Sequence, residues 1–132
     1  MARTGQPQII HLDTHIVCWL FEGRTDLLSE AARQALEEGH LFVSPIVTLE
    51  LQYLFEIKRV TKRPDVVLAG LRENLDLDTA LQSFASIVRQ AIGLAWTRDP
   101  FDRLIVAAAM VAHAGLITKD ATIHKHCGNA IW

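Results

Sequence analysis

Four acidic side chains in this sequence lie beside or inside strongly apolar segments, where carboxylates are uncommon. They are Asp13, Glu50, Asp102 and Asp120. If grouped, each pair would repel by roughly 1 kcal/mol in water at about 4 Å, and by more in a partly buried site. A divalent cation relieves that repulsion, and an all-carboxylate site suits Mg²⁺ or Mn²⁺. Because such ions promote phosphodiester hydrolysis, the four acids are candidate metal ligands and catalytic residues.

The elements that must position these acids alternate between strands and helices. Short apolar strands are predicted at residues 8–12, 41–43, 75–77 and 116–118. This alternation predicts an α/β fold, a three-layer α/β/α sandwich with a central, mainly parallel sheet. Asp13 and Asp120 follow strands at the carboxyl edge of that sheet, where open α/β sheets bind ligands. Glu50 and Asp102 lie in helices that start at the same edge, so we expect one shared cleft.

The predicted helices have clear starting signals. Ser44-Pro45 and Asp99-Pro100 each combine an N-cap residue with proline at the first helical position. They predict helices from Pro45 to about Arg59 and from Pro100 to a C-cap at Gly115. Further helices are predicted at residues 15–21, 30–38, 64–75, 79–95 and, as a short helix or turn, 121–127, with an edge strand at 130–132. The helix capped by Thr79 is expected to bury Leu81, Phe84, Ala85, Val88, Ile92 and Ala95.

Asp13, Glu50 and Asp102, and the neighbouring Asp99, also have simpler, purely structural interpretations. Asp13 and Asp99 suit helix N-caps, and Asp102 would complement the positive end of a helix dipole. One cap is enough for the helix at Pro100, however, so Asp102 needs another explanation. Glu50 lies within the apolar stripe of its helix and must therefore be paired, either with a cation bound from solution or in a salt bridge within the chain.

The length and composition narrow the class of protein. A chain of 132 residues with 50% hydrophobic content predicts one domain, residues 1–132, with residues 1–7 as a flexible extension. The longest apolar run, from Leu104 to Ala112, is about half of a membrane span, and the N-terminus has no signal-peptide pattern. Cys18 and Cys127 lie far apart with no C-x-x-C motif, which predicts reduced thiols. We therefore expect a soluble, cytoplasmic protein with no membrane contact.

A basic run, K-R-V-T-K-R, ends the predicted Pro45 helix and contains Lys58, Arg59, Lys62 and Arg63. Cations suit the negative end of a helix dipole, so a solvated helix end is the simpler interpretation. The same side chains are candidate contacts to the phosphates of a nucleic acid. The net charge of −2, from 13 basic and 15 acidic residues, does not exclude such a partner, because bound metal would neutralise the clustered acids.

The four acids and their flanking residues together resemble the PIN-domain ribonucleases. Asp13 follows the first strand, and the other three acids lie in P-I-V-T-L-E-L, R-D-P-F-D-R-L-I-V-A-A-A and L-I-T-K-D. Within that family, D-P-F-D-R-L before an alanine-rich helix looks like the VapC toxins of bacterial toxin–antitoxin modules. The resemblance covers essentially the whole chain. It implies a Mg²⁺- or Mn²⁺-dependent endoribonuclease that cuts structured RNA such as tRNA or rRNA, forms a homodimer and is inhibited by a VapB-type antitoxin.

The resemblance also assigns roles to individual residues. Asp13, Glu50 and Asp102 match the core metal-binding acids, and Asp120 matches a fourth, more variable one. Thr118 matches a hydroxyl often found beside the site. The further assignments are Asp99 as an accessory acid and Arg98, Arg103, Lys58, Arg59, Lys62 and Arg63 as candidate RNA contacts.

Two positions depart from the pattern of similar sequences. Arg98 stands where a histidine is often found, and His124-Lys125-His126 follows Asp120 where a tyrosine is often found. Both departures bear on the choice of substrate, and neither touches the four acids.

Two other classes of function stay open from the sequence. A receiver-like phospho-acceptor domain also places acids at strand ends with a threonine and lysine late in the sheet, as in Thr118-Lys119. It needs adjacent acids near the first strand, which His11-Leu12-Asp13 does not supply. The other alternative is a non-catalytic PIN-like module that binds only a protein partner, for which four retained acids would be unnecessary. Metal-dependent RNA cleavage separates the enzyme from both.

Overall fold

The computed structural model describes residues 7–132, so the predicted extension lies, apart from Pro7, outside the described residues. Five parallel strands form one sheet in the order β3-β2-β1-β4-β5. The strands are β1 (Ile9–Leu12), β2 (His40–Val43), β3 (Asp78–Thr79), β4 (Gly115–Ile117) and β5 (Ala130–Ile131). The predicted α/β class with a parallel sheet is confirmed.

Helices connect every pair of consecutive strands. They are α1 (Thr14–Phe21), α2 (Glu30–Glu38), α3 (Pro45–Glu56), α4 (Pro64–Leu75), α5 (Phe84–Ile92), α6 (Pro100–Val111) and α7 (Ala121–His126), with a short 3-10 helix at Thr25–Leu27. Helices α1, α3, α4, α5 and α6 pack against one another, whereas α2 and α7 both contact β5. None of these helices is long and apolar enough to cross a membrane.

Helix α6 lies at the centre of the core, as its uniformly apolar sequence predicts. Five consecutive residues, Ile105 to Ala109, are at most 1% exposed. They pack with the inward side chains of the sheet, such as Leu12 and Ile117, and with Val47 and Leu51 of α3. Because its first turn starts at Pro100, this buried helix fixes the position of Asp102 relative to the sheet.

The segment between α4 and α5 differs from the prediction. The third strand is Asp78–Thr79 rather than residues 75–77, because α4 continues to Leu75 and Asp76 then adopts a left-handed conformation with φ 54°. Thr79 is therefore a strand residue that pairs with Val43. The following helix is capped by Ser83 and ends at Ile92 rather than Ala95.

The predicted inner face of α5 is also wrong. Ile87 and Ala91 are buried, whereas Phe84, Val88 and Ile92 are 61%, 36% and 71% exposed, and Leu81, just before the helix, is 92% exposed. The helix carries apolar residues on two faces, so periodicity alone does not identify the inner one. The face with the small Ala91 is the one that packs on the alanine-rich α6, since small side chains allow close approach.

Two helix ends also differ from the prediction for a common reason. Helix α3 stops at Glu56, and Lys58 has a φ of 64°. Helix α6 ends at Val111 with Ala112 as its C-cap, and His113 follows with a φ of 53°, while Gly115 is the first residue of β4 rather than a C-cap. In both cases a residue other than glycine takes the left-handed conformation, which the sequence rule for C-caps misses.

Candidate functional site

The four predicted acids line one cleft at the carboxyl edge of the sheet. The cleft has a volume of about 420 Å³, and its wall contains Asp13, Glu50, Asp102 and Asp120. No Lys or Arg side chain within residues 7–132 lies at ion-pair distance from any of them. The cleft is therefore a concentration of negative charge that the described part of the chain does not neutralise.

Asp13 links the sheet to helix α1. Its backbone N–H donates to the carbonyl of Ile117 at 3.1 Å, which ties it to the end of β4. Its Oδ1 accepts from the Thr14 N–H at 2.8 Å as an N-cap, and its Oδ2 accepts from the Thr118 hydroxyl at 2.7 Å. The carboxylate is thus both a helix cap and a member of the cleft, so the two interpretations of Asp13 are compatible.

Glu50 is held by a hydroxyl and not by a cation of the chain. The Thr14 hydroxyl donates to Oε1 of Glu50 at 2.6 Å. Burial and repulsion by Asp13 and Asp99 nevertheless raise the pKa of Glu50, with the Thr14 hydrogen bond acting in the opposite direction. The salt bridge considered from the sequence is absent from residues 7–132. The sequence did show the Asp13-Thr14 pair, but only as a helix start, so the contact to Glu50 was missed.

Asp99 and Asp102 have different roles at the start of α6. Oδ1 of Asp99 accepts from the N–H groups of Phe101 at 2.8 Å and Asp102 at 3.4 Å, so Asp99 is the cap. Asp102 is half-buried and faces the cleft. Burial first, and then repulsion by Asp99 and the other three cleft acids, raises the pKa of Asp102 to about 7. Both causes disfavour the charged carboxylate, and a nearby cation would act in the opposite direction.

Asp120 and Thr118 join the far side of the cleft to Asp13. Oδ1 of Asp120 caps α7 by accepting from the N–H groups of Thr122 at 2.8 Å and Ile123 at 3.0 Å. The backbone N–H of Asp120 donates to the Thr118 hydroxyl at 3.1 Å, and that hydroxyl donates to Asp13. Thr118 is fully buried, so this single hydroxyl fixes the relative position of the two acids.

The candidate RNA contacts occupy different surroundings. Arg59 is exposed and lines the acidic cleft. Lys62 lines a separate small cavity between α1 and α4, and Arg63 is the residue before α4. The guanidinium of Arg103 donates to the carbonyls of Ala91 and Ile92 at the end of α5, a contact within the chain. That arrangement gives Arg103 a structural role.

The two remaining basic candidates are exposed on loops. Lys58 lies in the turn after α3, and Arg98 lies just before the Asp99 cap of α6. In the other departure from the resemblance, Nε2 of His124 makes a 2.6 Å hydrogen bond with the Thr118 carbonyl, and the His126 ring stacks on Trp96. Both histidines thus hold α7 in place beside the site.

The donor set of the cleft fits a hard divalent cation such as Mg²⁺ or Mn²⁺. All four candidate ligands are carboxylates, and Asp102 carries a raised pKa that a cation would lower. Within residues 7–132, no three Asp, Glu, His or Cys side chains are gathered closely enough to hold an ion by themselves. Mg²⁺ does not need such a group, because it usually keeps several waters and binds through one or two carboxylates.

Comparisons with known proteins place this arrangement in context. The family model of the PIN domain matches residues 10–129. The chain is 32% identical over 118 residues to the Ribonuclease VapC22 of Mycobacterium tuberculosis. The matched region covers 87% of this chain and 89% of that protein.

Solved structures show a likeness of fold at lower identity. The VapBC2 complex of Rickettsia felis, bound to a DNA fragment from its promoter, has a TM-score of 0.65 and 21% identity, covering 93% of this chain and 96% of that one. A toxin–antitoxin complex from Klebsiella pneumoniae gives the same values. VapBC-1 of nontypeable Haemophilus influenzae has a TM-score of 0.56 and 18% identity, covering 94% of this chain and 96% of that one.

Proposed function

The chain belongs to the PIN-domain family as a VapC-type endoribonuclease toxin, and we propose that it cuts structured RNA, such as tRNA or rRNA, with Mg²⁺ or Mn²⁺ held by Asp13, Glu50, Asp102 and Asp120. The observation that carries the proposal is that these four carboxylates line one cleft with no Lys or Arg at ion-pair distance in residues 7–132. Family membership removes the receiver-like alternative. The non-catalytic interaction module is the remaining alternative, and the experiment below distinguishes it from the ribonuclease.

The chemistry divides between the ion and the side chains. When bound, the ion supplies positive charge at the scissile phosphate and lowers the pKa of water. Asp13 and Glu50 are the pre-positioned ligands, because the hydroxyls of Thr118 and Thr14 hold their carboxylates. Asp102 and Asp120 complete the negative lining, directly or through water. Hydrolysis with departure of the 3′ oxygen leaves 5′-phosphate and 3′-hydroxyl ends.

Exposed basic residues are the proposed phosphate contacts. Arg59 is the strongest candidate, because it lines the cleft and is exposed. Lys58, Lys62, Arg63 and Arg98 would extend this contact to neighbouring phosphates of a folded RNA. Such contacts position the backbone without reading its sequence.

We also propose a VapB-type antitoxin as the inhibitor and a homodimer as the working form. Structural relatives of this fold include toxin–antitoxin complexes. For the dimer, the supporting observation is the exposed apolar face of α5, formed by Phe84, Val88 and Ile92, since apolar patches of this kind mark contact surfaces. Both cysteines are unbridged, which supports a cytoplasmic location.

The dimer proposal has a direct test in solution. Ile92→Glu places a charge on the exposed α5 face and should convert a dimer to a monomer in light scattering coupled to size exclusion. Val66→Glu is the matched control, because Val66 is 48% exposed but lies on α4. Equal masses for wild type and both variants would remove this surface from the proposal.

The function is tested by incubating the purified chain with total tRNA and rRNA. Discrete fragments with 5′-phosphate ends should form with added Mg²⁺ or Mn²⁺, and should be lost in EDTA and in Asp102→Asn. A folded, metal-binding chain that cleaves no RNA would contradict the proposal and favour the non-catalytic interaction module. Cleavage that persists in EDTA would contradict the metal assignment alone.

A further inference from the structure

A group of two indoles and one ammonium, of which one indole lies in the wall of the cleft, has no part in the chemistry described above. The ring centroids of Trp19 and Trp132 are 6.1 Å apart, with planes tilted by 54°. The Nζ atom of Lys119 lies 5.9 Å from the Trp19 centroid and 6.0 Å from the Trp132 centroid. We refer to Trp19, Lys119 and Trp132 as the tryptophan cluster.

The tryptophan cluster is joined to the acids by His15. Its imidazole meets the Trp19 ring edge-on, with centroids 5.2 Å apart. Nδ1 of His15 is 3.6 Å from Oδ2 of Asp13, and Nε2 of His15 accepts from the backbone N–H of Lys119 at 3.0 Å. Trp19 also lines the cleft together with the four acids. Two short contacts therefore separate the Asp13 carboxylate from the indole of Trp19.

Core packing accounts for only part of this arrangement. Trp19 and Trp132 both pack against the hydrophobic core, yet each is only half-buried, and Lys119 is exposed. The side chain of Trp19 forms part of the wall of the cleft. An apolar platform with a cation beside it, open towards a cleft, is the combination that proteins use to hold nucleobases.

Stacking on an aromatic platform would add to RNA binding a contribution that does not depend on the charge of the cleft. The four carboxylates repel phosphates, and the whole chain has a net charge of −2. Stacking of a base on an aromatic ring does not depend on the charge of the protein and contributes about 1–3 kcal/mol per base.

From this juxtaposition we propose that the tryptophan cluster binds an unpaired nucleobase of the RNA substrate, next to the phosphate at the four acids. The base stacks on the indole of Trp19, and the Lys119 ammonium donates to a carbonyl of the base or to its phosphate. The inference rests on the proposed ribonuclease function and adds to it the residues that hold a base beside the cut, Trp19 and Lys119.

The test is a double-mutant cycle between protein and RNA, measured as affinity. The Asp102→Asn chain is used throughout so that bound RNA is not cut. Fluorescence anisotropy with Mg²⁺ measures its binding to a labelled single-stranded RNA of about eight nucleotides, within the usual length of single-strand sites. Abasic nucleotides then replace one base at a time, with and without Trp19→Leu.

We expect one abasic position to weaken binding by about 5- to 150-fold, the range that loss of one stacked base predicts. In the Trp19→Leu chain the same abasic position should have no further effect, and Trp19→Phe should be intermediate. Trp96→Leu is the matched control, because Trp96 is also half-buried and stacks on His126 but does not line the cleft. It should preserve the abasic effect.

If the effects of Trp19→Leu and of every abasic substitution on RNA affinity are additive, the proposal is overturned, provided that a thermal melt shows a folded chain. Unchanged affinity in a folded Trp19→Leu chain would overturn it as well. These readouts are separate from catalysis, since they compare affinities without turnover. If the wild-type chain cleaves no RNA, the proposed function fails, and the cycle still reports whether the tryptophan cluster binds a base.

Discussion

Replacing Asp102 by asparagine should stabilise the metal-free protein at neutral pH while removing its activity. Burial and the neighbouring acids raise the pKa of Asp102 from 3.8 to about 7. Between these two values the folded chain holds a proton that the unfolded chain has released, so the free energy of unfolding falls as pH rises from about 4 to about 7. Because asparagine carries no charge, the free energy of unfolding of Asp102→Asn does not fall in this way.

The size of the effect follows from the raised pKa of Asp102. At about 1.36 kcal/mol per pH unit, a pKa moved from 3.8 to about 7 corresponds to roughly 4 kcal/mol. Because the carboxyl is only half-buried, solvent screening reduces this to roughly 1–2 kcal/mol. For a domain of this size, the expected increase in Tm above pH 7 is roughly 3–10 °C.

The measurement is a series of thermal melts in EDTA from pH 4 to pH 8.5. The advantage of Asp102→Asn should be largest above pH 7 and small near pH 4, where the folded wild-type chain is also neutral at this position. Asp65→Asn is the control, because Asp65 also lies in the first turn of a helix that starts with proline but is exposed. Asp65→Asn should lower the free energy of unfolding by about 0.3–1 kcal/mol, because it removes a favourable interaction between a carboxylate and the helix dipole.

Two results would refute this reasoning. One is an Asp102→Asn chain that is no more stable than wild type at pH 8 in EDTA. The other is an advantage that persists unchanged at pH 4. Added Mg²⁺ gives a further check, since it should raise the Tm of wild type more than that of the variant, by mass action on the folded state.

Other predictions concern positioning, RNA affinity and acid stability. Thr14→Val removes the 2.6 Å hydrogen bond to Glu50 and should lower kcat by about 10- to 100-fold. Thr14→Ser keeps the hydroxyl and should therefore keep the wild-type kcat. Arg59→Ala should raise KM and reduce the salt dependence of RNA binding by about one charge, while Arg89→Ala on α5 should not. Burial lowers the pKa of His11 to about 4, so stability should fall by up to about 3 kcal/mol between pH 6.5 and 4. In urea unfolding, His11→Leu should flatten that pH dependence, and an unchanged slope would contradict it.

Local patterns in the sequence determined much of the fold and the candidate site. The caps at Asp13, Ser44 and Asp99 are where the sequence predicts them, because capping depends on residues adjacent in the chain. The alternation of short apolar strands with helices determined the parallel sheet. It also implied that the acids after β1 and β4 lie at one edge, since the carboxyl ends of parallel strands lie together.

Contacts between distant parts of the chain were decided only by the tertiary structure. The hydroxyls that hold the acids, Thr118 on Asp13 and Thr14 on Glu50, span 105 and 36 residues. The inner face of α5 depends on the neighbouring α6, because both faces of α5 are apolar. Trp19 and Lys119 meet beside the acids for the same reason. Propensity and periodicity describe neighbours along the chain, whereas these contacts arise where packed elements bring separate segments together.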